Sequence, residues 1–153
     1  MLTLYQPKQT DLWFRQRMLE DAETMSYNRA WGGTIDFPED AWADWYEYWV
    51  ARPEGRRFYR YLSDCGLFVG EVAYHYDDEL GGTVADVIVY APERGNGYGR
   101  EGLRLLCAAA KKNGVGVLYD DIAIDNPAAS LFLSEGFSEE SRTNEKIILK
   151  KTL

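Results

Sequence analysis

Apolar residues recur every three or four positions along the first third of the chain, which is the spacing of one helix face. The first stripe consists of Phe14, Met18, Ala22 and Met25. It predicts a helix that Thr10 caps and that runs to about residue 27. A second stripe, which follows a loop containing Gly32-Gly33, predicts a helix from Pro38 to Pro53. Its aromatic members are Trp42, Trp45, Tyr46 and Trp49.

The rest of the chain alternates between strand and helix patterns. After a short strand at 2–6, the predicted strands are 57–62, 67–76, 83–90, 116–124, 137–142 and 145–151. A helix is predicted at 99–112, and a shorter one begins at Asn126-Pro127 and ends at Gly136. Turns at Cys65-Gly66 and Gly81-Gly82 make the first half antiparallel. The order predicts an α/β (α+β) fold with a mixed central sheet of about six to seven strands and about four flanking helices.

The acidic net charge of the chain limits the classes of molecule that it is expected to bind. The 153 residues include 17 Lys and Arg against 25 Asp and Glu, a formal net charge of −8. Phosphates of nucleic acids and of anionic lipids are repelled by such a chain, so neither nucleic acid nor a membrane is an expected partner, and a cationic substrate is mildly favoured. No apolar run approaches the ~20 residues of a membrane helix, and no signal-peptide pattern opens the chain. We therefore expect a cytoplasmic protein.

Cysteine and histidine are scarce. Cys65, Cys107 and a single histidine cannot build a disulfide scaffold or an ordinary Cys/His zinc site, so we expect no metal. No linker or repeat divides the chain, and we interpret residues 1–153 as one domain. Monomer and homodimer both stay open.

Three glycines at alternate positions lie between a predicted strand and the helix that starts near residue 99, in the segment Arg94-Gly95-Asn96-Gly97-Tyr98-Gly99-Arg100. Free N–H groups at a helix N-terminus, with the helix dipole behind them, bind anions, and the two arginines add positive charge. The segment predicts a phosphate or pyrophosphate site, with a ligand-free glycine turn as the alternative. Its spacing matches neither a Walker loop nor the dinucleotide fingerprint.

The same segment resembles a known family. Arg94-x-x-Gly97-x-Gly99 is similar to the R/Q-x-x-G-x-G/A signature of the GNAT superfamily of acetyl-CoA-dependent N-acetyltransferases. Downstream, residues 126–137 (NPAASLFLSEGF) resemble the family segment N-x-x-A/S-x-x-L-Y-x-K-x-G-F. The predicted elements also follow the family's order, so the resemblance covers essentially the whole chain.

The resemblance implies a GNAT fold, with the sheet splayed between its fourth and fifth strands, and acetyl-CoA as co-substrate. It implies that the backbone amides after Arg94 bind the CoA pyrophosphate, namely those of Gly95, Asn96, Gly97, Tyr98, Gly99 and Arg100. The backbone of Val87, Ile88 and Val89 would pair with the pantetheine arm. Asn126 would hold pantetheine while its side-chain oxygen caps a helix, and Ser130 and Phe132 would lie near the thioester.

The chain departs from the family pattern in three places. Phe132 stands where many members carry the Tyr that protonates the departing CoA thiolate, and a phenyl ring cannot donate a proton. Ser134 replaces a common Lys; with Ser130 it offers a nearby hydroxyl, and water is the other proton source. The family's V-x-P-x-x-R is replaced by Val89-Tyr-Ala-Pro92-Glu-Arg94, which leaves the register of strand 83–90 open by one residue.

Amine acetylation also needs a base, since a protonated amine cannot attack a thioester. The candidates on the central strands are Glu71, His75, Asp86, Asp120 and Asp121. We rank Asp86 first and Glu71 second. Asp86 sits mid-strand in an apolar run, where a carboxylate must be paired, raised in pKa or facing a wet cleft. The alternative for Asp86 is a cross-strand ion pair with Arg57 or Arg60. Asp120 and Asp121 point to opposite faces of their strand, so we expect only one of them in a cleft.

Aromatic residues make up 14% of the chain. Helix packing explains most of the Trp42, Trp45 and Trp49 stripe. Trp31 lies in a glycine-containing loop, and with the acidic residues Asp36, Glu39 and Asp40 it predicts an aromatic acceptor pocket for a cationic amine.

The resemblance implies an N-acetyltransferase that moves an acetyl group from acetyl-CoA to a primary amine of a small molecule or peptide, by direct attack in a ternary complex. Two alternatives stay open. One is a catalytically weak or inactive CoA-binding module of the same fold, which Phe132 favours. The other is a glycine-rich α/β domain that binds a different phosphorylated ligand.

Overall fold

A computed structural model describes residues 1–153 and contains one seven-stranded sheet of order β1-β2-β3-β4-β5-β7-β6. The strands are β1 (Leu2–Tyr5), β2 (Arg57–Asp64), β3 (Leu67–Asp77), β4 (Gly82–Val89), β5 (Val117–Ala123), β6 (Ser138–Arg142) and β7 (Lys146–Thr152). The α-helices are α1 (Trp13–Glu20), α2 (Trp42–Tyr46), α3 (Tyr98–Lys112) and α4 (Ala128–Ser134). This confirms the predicted fold class and the predicted order of strands and main helices along the chain.

Four short 3-10 turns accompany these elements, and two of them lie directly before α1 and α2. They span Gln9–Leu12, Ser26–Trp31, Glu39–Ala41 and Ala91–Glu93, and a π turn at Glu47–Ala51 continues α2. None of the helices is both long and apolar enough to cross a membrane.

The middle of the sheet is splayed. β4 and β5 are parallel neighbours joined by the α3 crossover, but only Thr83↔Leu118 and Val84↔Tyr119 pair between them. β4 pairs with β3 along its whole length, from Gly82 to Val89. Beyond Val84 the other edge of β4 is therefore unpaired, and a cleft opens between the two strands as the resemblance implied.

The two faces of the sheet carry different layers. On one face α1 and α2 cover a small core that contains Phe14, Met18, Tyr59, Tyr61 and Ala73. On the other face α3 and α4 cover the main core, whose buried residues include Leu62, Leu103, Leu106, Leu118 and Phe132. The Trp42 stripe belongs to the first layer, where Trp42 is buried and Trp45 packs edge-to-face on Tyr59. Helix packing is confirmed for this stripe.

The first helix ends earlier than its apolar stripe predicts. α1 ends at Glu20, because the Asp21 carboxylate accepts hydrogen bonds from the Thr24 N–H and hydroxyl and turns the chain. The Thr24 hydroxyl in turn accepts from the Ala91 N–H at 3.0 Å. This hydrogen bond connects the segment after α1 to the segment after β4. As a result, residues 26–31 lie beside the cleft.

Candidate active site

The cleft at the splay has a volume of about 1020 Å³. This is at the upper end of the roughly 300–1,000 Å³ usual for ligand sites. Its walls come from the 26–31 turn, the second half of β4, the start of α3, the end of β5 and α4. Groups from both sheet faces reach it, since it opens where the sheet itself parts.

The glycine segment lies at one end of the cleft. Gly95 and Gly97 adopt φ values of 88° and 80°, which L side chains rarely take, and Gly97 is the N-cap of α3. None of the backbone N–H groups of residues 95–100 donates to an acceptor in the chain. A Cβ on Gly99 would lie 3.3 Å from Leu131, so glycine lets α3 approach α4 closely. This end is built as an anion cradle.

The arginines of the cradle are held in place. Arg94 donates to the backbone carbonyls of Glu23 and Thr24 at 3.2 and 3.0 Å, and Arg100 lies 3.7 Å from the Glu135 carboxylate. Both line the cleft. Two other side chains of the segment turn away from an incoming anion. Tyr98 donates its hydroxyl to Asp64 at 2.6 Å, and Asn96 donates to the Glu93 carbonyl.

The unpaired edge of β4 forms one side of the cleft. Val87, Ile88 and Val89 all line it, as the pantetheine assignment requires. Across the cleft, the side-chain oxygen of Asn126 accepts the Ala128 N–H at 2.9 Å, so its NH2 group stays available to a ligand. The predicted side-chain contact of Asn126 is therefore present at the start of α4, which begins at Ala128 with Pro127 at the N-cap position.

Asp86 opens into the cleft from the same sheet face as α1 and α2. Its cross-strand neighbour is Ala73, and neither Arg57 nor Arg60 contacts it: Arg57 donates to the carbonyls of Tyr48 and Arg52, and Arg60 to that of Tyr59. The ion-pair alternative is therefore wrong. The Asp86 side chain is accessible through the mouth of the cleft, yet enough protein surrounds it that desolvation raises its pKa to about 6.

Glu71 is not in the cleft. It is 5% exposed, and both of its oxygens accept from Arg15 Nη1, at 3.0 and 2.8 Å. The oxygen Oε2 also accepts from the Tyr59 hydroxyl. The Arg15 guanidinium stacks 4.4 Å above the Trp45 ring. Desolvation raises the pKa of Glu71 and Arg15 opposes the rise. The structure thus gives this carboxylate a partnered, buried place beneath α1, outside the lining of the cleft.

Asp120 and Asp121 both line the cleft, which corrects the expectation that only one would. Alternation does place them on opposite sheet faces, but the cleft lies at the parted seam and receives both. Asp121 is bound by Lys146 at 3.2 Å. Asp120 is 3% exposed, and its Oδ2 has no hydrogen-bond partner. Burial and then the nearby charge of Asp86 raise the pKa of Asp120 to about 8.

Of the remaining predicted residues, Phe132 lines the cleft and the others lie outside it. Phe132 is 3% exposed and forms part of the cleft wall. Ser130 does not reach the cleft, because it is exposed and donates to the Pro127 carbonyl at 3.0 Å. Ser134 is likewise turned back to the Leu131 carbonyl. His75 lies outside the cleft and is half-buried against Trp49.

The acceptor side was predicted in part. Trp31 lines the cleft and is 67% exposed, with Tyr27 beside it on the same turn. The acidic residues Asp36, Glu39 and Asp40 do not line the cleft; the carboxylates come instead from Asp121 and Asp125 on the opposite wall. Tyr27 was missed because nothing in the sequence shows that the chain turns at Asp21.

Comparison with known proteins bears on this cleft. A sequence model of the family described as "Acetyltransferase (GNAT) family" matches residues 16–137, which include β4, the glycine segment and α4. A search of curated proteins finds no match.

Solved structures share the whole fold. The spermidine N-acetyltransferase of Vibrio cholerae, in complex with CoA and spermine, superposes with a TM-score of 0.80 at 19% identity, over 99% of this chain and 95% of that one. The ribosomal-protein-alanine N-acetyltransferase of Brucella melitensis gives 0.78 at 22%, over 99% of each chain. The protein yncA of Salmonella typhimurium, with its cofactor acetyl-CoA, gives 0.75 at 20%, over 100% and 94%. At these identities the likeness shows the fold.

Proposed function

This chain belongs to the acetyltransferase (GNAT) family, and we propose that it moves an acetyl group from acetyl-CoA to a primary amine by direct attack in a ternary complex. The observation that carries the proposal is the continuity of the cleft. A cradle of unpaired N–H groups, an unpaired strand edge and an accessible carboxylate follow one another along one wall. In that order, these groups can bind a diphosphate, pair with an amide-bearing arm and accept a proton from an amine.

The cradle would hold the CoA pyrophosphate on the N–H groups of residues 95–100, with Arg94 and Arg100 adding charge. The edge at Val87, Ile88 and Val89 would pair with pantetheine as another strand would, and the free NH2 of Asn126 would bind it from the far wall. A ligand held at both ends is positioned for attack, and positioning alone lowers a barrier by several kcal/mol.

Asp86 would be the base. It is the accessible carboxylate on β4, and with a pKa of about 6 it is ionised at neutral pH and well matched to accept a proton there. Glu71 serves structure rather than proton transfer, because Arg15 and Tyr59 occupy its oxygens.

The acceptor would be a cationic amine. Three aspartates, Asp86, Asp121 and Asp125, line the acceptor part of the cleft, and of its three arginines Arg94 and Arg100 belong to the cradle. The exposed Trp31 ring offers a face to a cation, and only Arg29 opposes one at this end. Two free cysteines, Cys65 and Cys107, suit a reducing compartment such as the cytoplasm.

Binding of acetyl-CoA by the cradle is tested by Gly97→Glu, which places a carboxylate at the anion site and should abolish binding in calorimetry. Gly81→Glu is the matched control. Gly81 has a similar φ of 73° and open surroundings, but it lies in the β3–β4 turn outside the cleft. Equal strain and charge are thus introduced in both variants, and unchanged affinity in Gly97→Glu would refute the proposed cradle.

The acceptor class is tested with amines that differ by one charge. Butylamine and 1,4-diaminobutane present the same primary amine, and the diamine carries a second cation for the aspartates. We expect kcat/KM for the diamine to be about 10-fold or more higher, and the preference to shrink with added salt. Equal values would exclude recognition of a second cation.

A CoA-binding module without turnover is the second candidate, and Phe132 is the observation that favours it. That candidate predicts acetyl-CoA binding in wild-type protein without thiol release for any amine. It also predicts a gain of turnover in Phe132→Tyr.

A further inference from the structure

The cleft contains a buried carboxyl group that neither the fold nor the proposed base explains. Asp120 is 3% exposed, lines the cleft, and leaves Oδ2 without any hydrogen-bond partner. We propose that Asp120, in its protonated form, is the catalytic acid that gives a proton to the departing CoA sulfur. This role rests on the proposed acetyl transfer and supplies the proton donor that Phe132 cannot be.

The position of Asp120 supports the role. It alternates with Leu118 and Ile122 along β5, and all three face the α3–α4 side of the sheet, where Phe132 also lies. Asp120 and Phe132 therefore reach the cleft from the same side. Asp86 reaches it from the opposite side, so base and acid would flank the reacting thioester rather than compete for one place.

The surroundings of Asp120 favour its neutral form. Its cross-strand neighbour on β7 is Leu149, which is 1% exposed, and the core beneath α3 and α4 is apolar. The charges that face it are Asp86 from β4 and Asp121 from its own strand, and both are negative. No cation binds it, so burial and like charge together raise the pKa to about 8 and leave the group protonated at neutral pH.

The protons balance with this assignment. Asp86 takes one proton from the ammonium of the acceptor and later releases it to solvent. The amine nitrogen then bonds to the acetyl carbon as the carbon–sulfur bond breaks. Asp120 gives its proton to the sulfur and recovers one from the nitrogen, which becomes the amide N–H. The products are the acetylated amine, CoA thiol and one proton, and both carboxyl groups return to their starting states.

The other hydroxyl and carboxyl groups fit this role less well. Ser130 and Ser134 donate to backbone carbonyls of α4, and Asp121 is held by Lys146. Among the other hydroxyl groups that line the cleft, Thr24 donates to Asp21 and Tyr98 donates to Asp64. Ser26 lies on the acceptor wall, as does Tyr27. The charged neighbours of Tyr27 are Glu71, Asp86 and Arg15, on the α1–α2 side.

Asp120→Asn tests the proposal, because it keeps the size and neutrality of the protonated side chain but cannot supply the proton. The assay uses an amine that is already neutral at the assay pH, so that no base is needed. We expect kcat to fall about 10-fold or more in Asp120→Asn while acetyl-CoA affinity is retained. Asp44→Asn, on the exposed side of α2, is the control and should leave kcat unchanged. Wild-type kcat should decline above about pH 8, and Asp120→Asn should lack that decline.

Rescue separates chemistry from structure. Phe132→Tyr supplies a phenol at the wall, so it should change wild-type kcat by only a few-fold but restore most of the loss when combined with Asp120→Asn. Asp120→Ser is a second variant if the Asn protein does not fold. Unchanged kcat in these variants would overturn the proposal, as would a loss that follows acetyl-CoA affinity and that Phe132→Tyr does not restore. A loss reproduced by Tyr27→Phe alone would assign the acid to Tyr27.

An infrared measurement is independent of turnover. The carbonyl band of a protonated carboxylic acid should be present at pH 7 in wild type and missing in Asp120→Asn, and its absence from wild type would overturn the proposal even in an active enzyme. If instead the band is present and wild type releases no thiol with any amine, it is the proposed acetyl transfer that fails, and the acid role fails with it.

Discussion

Two buried carboxyl groups lie on opposite faces of one sheet, and they differ in their hydrogen-bond partners. Glu71 on β3 is 5% exposed and is bound by Arg15 and Tyr59. Asp120 on β5 is 3% exposed, and one of its oxygens has no partner. Burial alone therefore does not identify a functional acid; the missing partner does, because an unpaired buried polar group is costly and persists where a ligand or a reaction uses it.

The largest expected effect is the loss of stability when Glu71 loses its partner Arg15. Arg15→Met removes the cation and leaves Glu71 buried without its partner, which should lower the free energy of unfolding by about 3–5 kcal/mol. Arg17→Met on the exposed side of α1 is the control, where only a contact over Trp13 is lost, worth ~0.5–1 kcal/mol. Urea unfolding measures both, and equal losses would show that the Arg15–Glu71 pair is not structural.

Replacing Asp86 on β4 and Glu71 on β3 with the matching amides tests which of the two carboxylates takes part in the reaction. Asp86→Asn should lower kcat/KM by about 10²-fold, and the loss should shrink at high pH, where the amine loses its proton unaided. In wild type, kcat/KM should rise with pH through about 6 as Asp86 ionises.

Glu71→Gln is the matched variant on the neighbouring strand. It should reduce stability and leave kcat/KM of the folded protein within a few-fold of wild type. A greater kinetic effect at Glu71 than at Asp86 would assign the base to the buried pair and remove the distinction drawn between the two sites.

The protonation state of the unpartnered Asp120 is tested by the pH dependence of the free energy of unfolding. The folded-state pKa of Asp120, about 8, lies above the value near 4 of an unfolded chain, so the folded state holds the extra proton between these limits. Its contribution to stability is full below the unfolded pKa and is lost as the pH rises through about 8. Asp120→Asn cannot titrate, and its stability relative to wild type should increase by up to about 1.4 kcal/mol per pH unit between pH 5 and 8.

Asp44→Asn on the exposed side of α2 is the control for this series and should show no such trend. A flat difference between Asp120→Asn and wild type would mean that Asp120 is ionised in the folded protein.

The smallest expected effect is on KM, from replacement of the exposed cleft residue Asp125. Asp125 lines the cleft but is exposed, so water screens its charge and Asp125→Asn should raise KM for 1,4-diaminobutane by only a few-fold without changing kcat. A large change in kcat would place Asp125 among the reacting groups.

Much of this arrangement was predictable from local pattern. The strands follow from two-residue alternation, and the glycine segment from its position between a strand and a helix. The end of α1 was not predictable from its stripe, because Phe14, Met18, Ala22 and Met25 keep helical spacing across a turn that the Asp21 and Thr24 side chains close.

The roles of the carboxylates depended on distant contacts. Arg15 is 56 positions from Glu71 in the chain, and no local rule pairs them. Alternation placed Asp120 and Asp121 on opposite faces correctly, but the conclusion that only one reaches the cleft failed because the sheet itself parts between β4 and β5.

Acetyl transfer in this cleft is tested most directly by thiol release from acetyl-CoA with a panel of amines that includes 1,4-diaminobutane, followed for wild type and Asp86→Asn at neutral pH. We expect CoA thiol and acetylated amine in equal amounts from wild type, fastest with the diamine, and about 10²-fold less from Asp86→Asn. Wild-type protein that binds acetyl-CoA but releases no thiol with any amine would contradict the assignment of acetyl transfer to this cleft.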